Sequence, residues 1–106
     1  MGFTCDSCGF GQFSIDLRLE LAKVYLSANR STDSLEPASQ ALTRSVHPDC
    51  RYAWGIADGL HLLGVAHARR GDTGKARDYL HRAAERRRPL EHPGLVETEE
   101  ELRRLP

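Results

Sequence analysis

The sequence predicts an all-α protein built from antiparallel helix hairpins, on three observations. The chain is rich in Leu, Ala, Arg and Glu and poor in β-branched runs, which favours helix over strand. Its apolar residues recur at intervals of three and four rather than alternating. Turn-forming clusters, "NRSTDS", "HPDC", "GD" and "LEHPG", interrupt the chain at spacings suited to helices.

In "FSIDLRLELAKVYLSANR" the residues Ile15, Leu17, Leu21, Val24, Tyr25 and Ala28 follow helical spacing. Ser14 is placed to cap this helix, with Asp16 near the positive end of its dipole. The second helix, "LEPASQALTRSV", takes Asp33 or Ser34 as its cap, and Pro37 is tolerated only in its first turn. The third is expected from Ala53 to Arg70, stopping at Gly71-Asp72. Its glycines, Gly55, Gly59 and Gly64, each weaken it by roughly 1 kcal/mol relative to alanine, so they mark places where another helix packs closely. Asp72 caps a fourth helix, "TGKARDYLHRAAERRR", which ends before Pro89 with Arg86, Arg87 and Arg88 at the negative end of the dipole. "LVETEEELRRL" forms a short amphipathic helix with its acids before its bases. The expected organisation is a cysteine-bearing segment at 1–13, two helix hairpins at 14–89, and a connector with a capping helix at 90–106.

With 106 residues, 40% of them hydrophobic and 28% charged, the chain suffices for one modest core. A formal net charge of zero gives no signal for a nucleic-acid partner. No apolar run approaches the ~20 residues of a membrane span, and "MGFTCDSCGF" does not read as a signal peptide. Three cysteines, an odd number, and no export signal make a reducing cytoplasm the expected compartment.

The two hairpins are self-similar. Aligning Asp16 with Asp58 brings Leu21 onto Leu63, Ala22 onto Gly64 and Tyr25 onto His67; in the second helices Ala38 meets Ala76, Leu42 meets Leu80 and Ser45 meets Ala83. The second unit resembles a tetratricopeptide repeat: Leu60, Leu63, Gly64, His67, Ala76, Leu80 and Ala83 sit at that repeat's spacing. It departs in His67, where an aromatic is commoner, and in Pro89, one residue late. The first unit has an inter-helix loop about four residues longer than the standard repeat of about 34 allows. The style of "GDTGKARDYLHRAAERR" is also similar to the helical tails of large bacterial signalling ATPases.

The resemblance implies a curved surface whose inner face, lined by the first helix of each pair, binds a partner peptide or helix without catalysis. The inner-face positions it implies are Asp16, Leu19, Glu20, Lys23 and Leu26 in the first unit, and Asp58, His61, Leu62, Val65 and Arg69 in the second. The Lys and Asn set that clamps a terminal carboxylate in chaperone-binding members is missing here. Leu19 and Val65 are equally readable as packing residues. Two units leave an end uncovered, which self-association, neighbours in a longer parent protein or a covering N-terminal segment would close.

The cysteines admit several readings. A hairpin returns to its starting edge, so Cys5-x-x-Cys8 and His47-x-x-Cys50 could converge as a Cys₃His set suited to a structural zinc ion. Such a zinc-stabilised or redox-gated adaptor is the main alternative, beside inert thiols packed near Phe3, Phe10 and Phe13. A thiol oxidoreductase fits less well, because Gly9 and Gly11 separate the pair from the helix and no strand precedes it. Other catalytic patterns are weak. Asp58 and His61 have no predictable nucleophile beside them, His61, His67 and His81 lack an i,i+4 metal spacing, and no phosphate-binding loop or HExxH occurs. Arg82 with Arg86 to Arg88 reads as a solvated helix end, and Tyr52 and Trp54 as packing anchors.

Overall fold

A computed structural model describes residues 11–48 and 50–106. Among these residues the chain forms five α-helices and no strand: α1 (Gly11–Ser27), α2 (Ser31–Ser45), α3 (Ala53–Arg69), α4 (Thr73–Arg87) and α5 (Leu95–Arg104). Each helix packs on the next as an antiparallel neighbour, and α1 also meets α3 across the stack.

Local chemistry explains the boundaries. At the end of α3 the Gly71 N–H bonds to the Ala68 carbonyl (3.1 Å) and the Asp72 N–H to the His67 carbonyl (2.9 Å). This paired closure needs a left-handed residue, which Gly71 supplies at φ +84°. Asp72 then caps α4 by accepting from the Lys75 N–H at 3.2 Å, as the sequence predicts. The same closure ends α1 at Asn29 (φ 61°), through Arg30 N–H to the Tyr25 carbonyl at 2.8 Å.

Two boundaries differ from expectation. Helix α1 runs from Gly11, so the division at 13/14 falls inside it, and Ser14 accepts from the Arg18 guanidinium within the helix rather than capping it. Helix α2 begins at Ser31, because α1 closes within three residues, and Pro37 therefore lies inside α2, past the first turn. Its missing N–H removes one intrahelical bond there.

The main core joins Ile15, Leu19, Ala22 and Leu26 of α1 with Ala38 and Ala41 of α2, Leu62, Leu63, Val65 and Ala66 of α3, and Leu80 of α4. Alanines on the second helices allow close approach while leucines of the first helices fill the space. The glycines of α3 act as expected. A Cβ on Gly64 would lie 2.6 Å from Leu80 Cγ of α4, and one on Gly59 would lie 3.2 Å from Leu42 Cβ of α2. Helix α3 is thus wedged between two neighbours at contact distance.

Among the described residues no helix is long and apolar enough to cross a membrane.

Candidate functional site: a groove lined by the first helices

The inner face of α1 and α3, together with α5, lines a groove of about 470 Å³. Helix α1 contributes Lys23, Leu26 and Ser27, and α3 contributes Asp58, His61, Leu62, Val65 and Arg69, spaced three and four apart so that they share one face. Arg87 enters from the end of α4, His92 and Gly94 from the connector, and Glu97 and Glu101 from α5.

A buried polar network holds this wall in place. The Arg87 side chain is only 5% exposed and reaches three elements at once. Its Nη2 donates to Asp58 Oδ1 of α3 (2.8 Å), and its Nη1 to Thr98 Oγ1 of α5 (2.7 Å) and to the Gly94 carbonyl (2.8 Å). His92 is delivered by the turn after α4, where its own N–H bonds to the Arg87 carbonyl at 3.1 Å with Glu91 at φ 52°. The Gly94 N–H donates to His92 Nδ1 (2.8 Å), so the ring proton sits on Nε2 and is donated to Asp58 Oδ1 (3.1 Å). Thr98 Oγ1 accepts from Arg87, donates to the Gly94 carbonyl at 3.3 Å and shares a hydrogen bond with His61 Nδ1 at 2.9 Å. The other ring nitrogen, His61 Nε2, lies 3.8 Å from Glu97 Oε1. Among the described residues, Arg87 Nε is the one buried polar atom of this cluster without a hydrogen-bond partner.

Both histidines are neutral imidazoles. Burial, and then the Arg87 charge, pull His61 down to about 4. The same two causes lower His92. Trp54 lies against the His92 ring, centroids 4.2 Å apart, so it packs on the connector of this site, and with 42% of its surface exposed it is only half an anchor.

Of the residues expected to bind a partner, Lys23, Asp58, His61, Val65 and Arg69 converge on the groove, as do Leu26 and Leu62. Asp16, Leu19 and Glu20 do not line it. Leu19 is 3% exposed and belongs to the core. Glu20 forms an exposed ion pair with Lys23 at 3.1 Å. Asp16 accepts from the Tyr52 hydroxyl at 3.0 Å, and burial together with this bond pushes the Tyr52 phenol up to about 12. Arg69 Nη1 donates to the Leu26 carbonyl at 2.8 Å, tying α3 to the end of α1. Arg87, His92, Thr98, Glu97 and Glu101 were not legible as site residues. One signal existed: Asp58 is the lone acid within the apolar "AWGIADGLHLLGVA", and a carboxylate there needs a cation or donors.

The proposed metal set is only partly within view. Cys5 and Cys8 lie outside the described residues. His47 is exposed, and Cys50 is half-buried against the main core. Among the described residues no group of three or more His, Cys, Asp or Glu side chains is placed to hold a metal ion. Comparison of the chain with protein-family models, with curated proteins and with solved structures finds no match in any of the three.

Proposed function

We propose that the chain is a tetratricopeptide-like protein–protein interaction module, non-catalytic, that holds a partner's peptide or helix in the groove between α1, α3 and α5. The carrying observation is convergence: five of the eight residues assigned to partner binding by repeat register line this one groove, with Leu26 and Leu62 beside them. Its floor is apolar, from Leu26, Leu62 and Val65. Lys23 and Arg69 supply positive charge from α1 and α3, and Glu97 and Glu101 supply negative charge from α5. The matching ligand is a short segment with apolar residues between an acidic edge and a basic edge.

The Arg87 network supports this reading because it fixes α5 before any partner arrives, so little ordering entropy remains to be lost on binding. Thr98, whose hydroxyl meets His61 at 2.9 Å, is fully buried, which suits a structural role better than a nucleophilic one. Selection of a random displayed-peptide library on the full chain tests the proposal. Selected peptides should carry the acidic–apolar–basic pattern and lose at least about tenfold in affinity to Glu97→Lys. Peptides indifferent to Glu97→Lys and to Arg69→Glu would refute it.

A further inference from the structure

The groove leaves one prominent feature of the molecule unexplained. Phe13, Leu17, Leu21 and Val24 are 63%, 56%, 44% and 61% exposed, and their spacing of four, four and three places them along a single line of α1. That line runs about 16 Å, opposite the face that Ile15, Leu19, Ala22 and Leu26 bury. The repeat register identifies what such a line is for. The positions matching Phe13, Leu17, Leu21 and Val24 in the second unit are Gly55, Gly59, Leu63 and Ala66. In α3 those residues face the preceding hairpin: Gly59 meets Leu42, Gly55 meets Ser45, and Leu63 and Ala66 are 2% and 0% exposed. In the second unit this face receives a helix, α2, whereas among the described residues α1 has none there.

We infer that the outer face of α1 pairs with the same face of a second copy of this chain, antiparallel, about a two-fold axis between Leu17 and Leu21. A two-fold contact requires a self-complementary surface, and the stripe is one. Reversing the helix sets Phe13 opposite the partner copy's smaller Val24, and Leu17 opposite Leu21. Large side chains stand where α3 has glycine, which rules out the close approach made by α2 and calls for a neighbour that interdigitates side chains, as a second stripe does.

Along one edge the reversal brings Asp16 beside Lys23 of the other copy. Glu20 falls near the axis, close to its counterpart, each held by its own Lys23. The stripe offers on the order of 400 Å² per copy, the scale at which an exposed apolar patch marks an interaction site. With its rims it reaches about 1,200 Å² in total, the lower end of specific interfaces. A zero net charge sets no long-range repulsion against it.

Sedimentation equilibrium of the full chain up to about 100 µM, a range suited to a small interface, should show a monomer–dimer equilibrium. Leu17→Glu/Leu21→Glu should abolish the dimer while helix content and melting temperature of the single copy persist. Asp16→Lys and Lys23→Asp should each weaken self-association about tenfold, and an equimolar mixture of the two should pair again, because each supplies the charge the other lost. Glu20→Gln should tighten pairing about threefold by removing the repulsion at the axis. A full chain that stays monomeric throughout overturns the inference, the cover then being residues 1–10 or a foreign protein. So does a dimer that survives Leu17→Glu/Leu21→Glu, or a charge-swapped mixture that pairs no better than its components.

Discussion

Helices α1 and α3 each begin a helix hairpin, yet residues that match when Asp16 is aligned with Asp58 meet opposite fates. Leu63 is 2% exposed and Leu21 44%; Ala66 is 0% exposed and Val24 61%. Nothing in their own helices separates these pairs. Helix α3 has α2 on one side and α4 on the other, with Arg87, His92 and Thr98 pinning α5 beyond. Helix α1 has α2 and α3 but nothing described on its outer side. Whether an apolar stripe is core or surface is thus decided by the neighbour, and a stack this short has a well-closed end and an open one. The closed end is also the polar one: its last helix is held by a buried arginine as well as by Leu102 and Leu105 packed on the core.

The strongest way to break this comparison is to remove the arginine. Arg87→Ala leaves the Asp58 carboxylate with the His92 ring alone among the described residues, and takes a donor from Thr98 Oγ1 and from the Gly94 carbonyl. It should cost about 3–5 kcal/mol in urea denaturation and release α5 first in hydrogen exchange. The expected loss rests on burial and on three hydrogen bonds made by one side chain.

Core truncation on the closed side comes next. Leu63→Ala should cost about 3 kcal/mol, since the site is filled by neighbours on both sides.

Acid offers a reversible probe of comparable size. His61 titrates near 4 in the folded protein against an ordinary 6.5 when unfolded. The unfolded chain therefore takes the proton first as pH falls. Its contribution is fully present above about pH 6.5 and is lost progressively down to about pH 4, reaching about 3 kcal/mol. His92 and His67 are lowered by burial and act in the same direction. His61→Asn, whose side-chain amide can stand in for Nδ1 toward Thr98, should flatten the stability–pH curve over that window.

The smallest effect is the register partner of Leu63. Leu21→Ala should change the stability of a single copy by no more than about 0.5 kcal/mol, measured at dilution that separates copies. A large cost for Leu21 alone would mean that α1 is covered after all.

Much of this was readable from residues. Helical spacing, the Asp72 cap and the Gly71 stop located α3 and α4, because those signals are local. The three glycines of α3 announced close neighbours, and the repeat register placed Lys23, Asp58, His61, Val65 and Arg69 on one face. What stayed hidden was tertiary. Arg87 lies in a run of three arginines ahead of a proline, and only the turn that brings His92 and Gly94 back over it converts a solvated helix end into a buried hub. Pro37 misled for a related reason: packing on α1 holds α2 through a missing hydrogen bond that propensity alone would not tolerate.

The groove's role is tested most directly by nuclear magnetic resonance of the full chain, labelled with ¹⁵N and titrated with the tightest library-selected peptide. The backbone signals of Leu26, Leu62, Val65, Glu97 and Glu101 should shift together and saturate with one peptide per chain. Shifts confined to Phe13, Leu17, Leu21 and Val24, with the groove silent, would contradict the assignment of partner binding to the inner face.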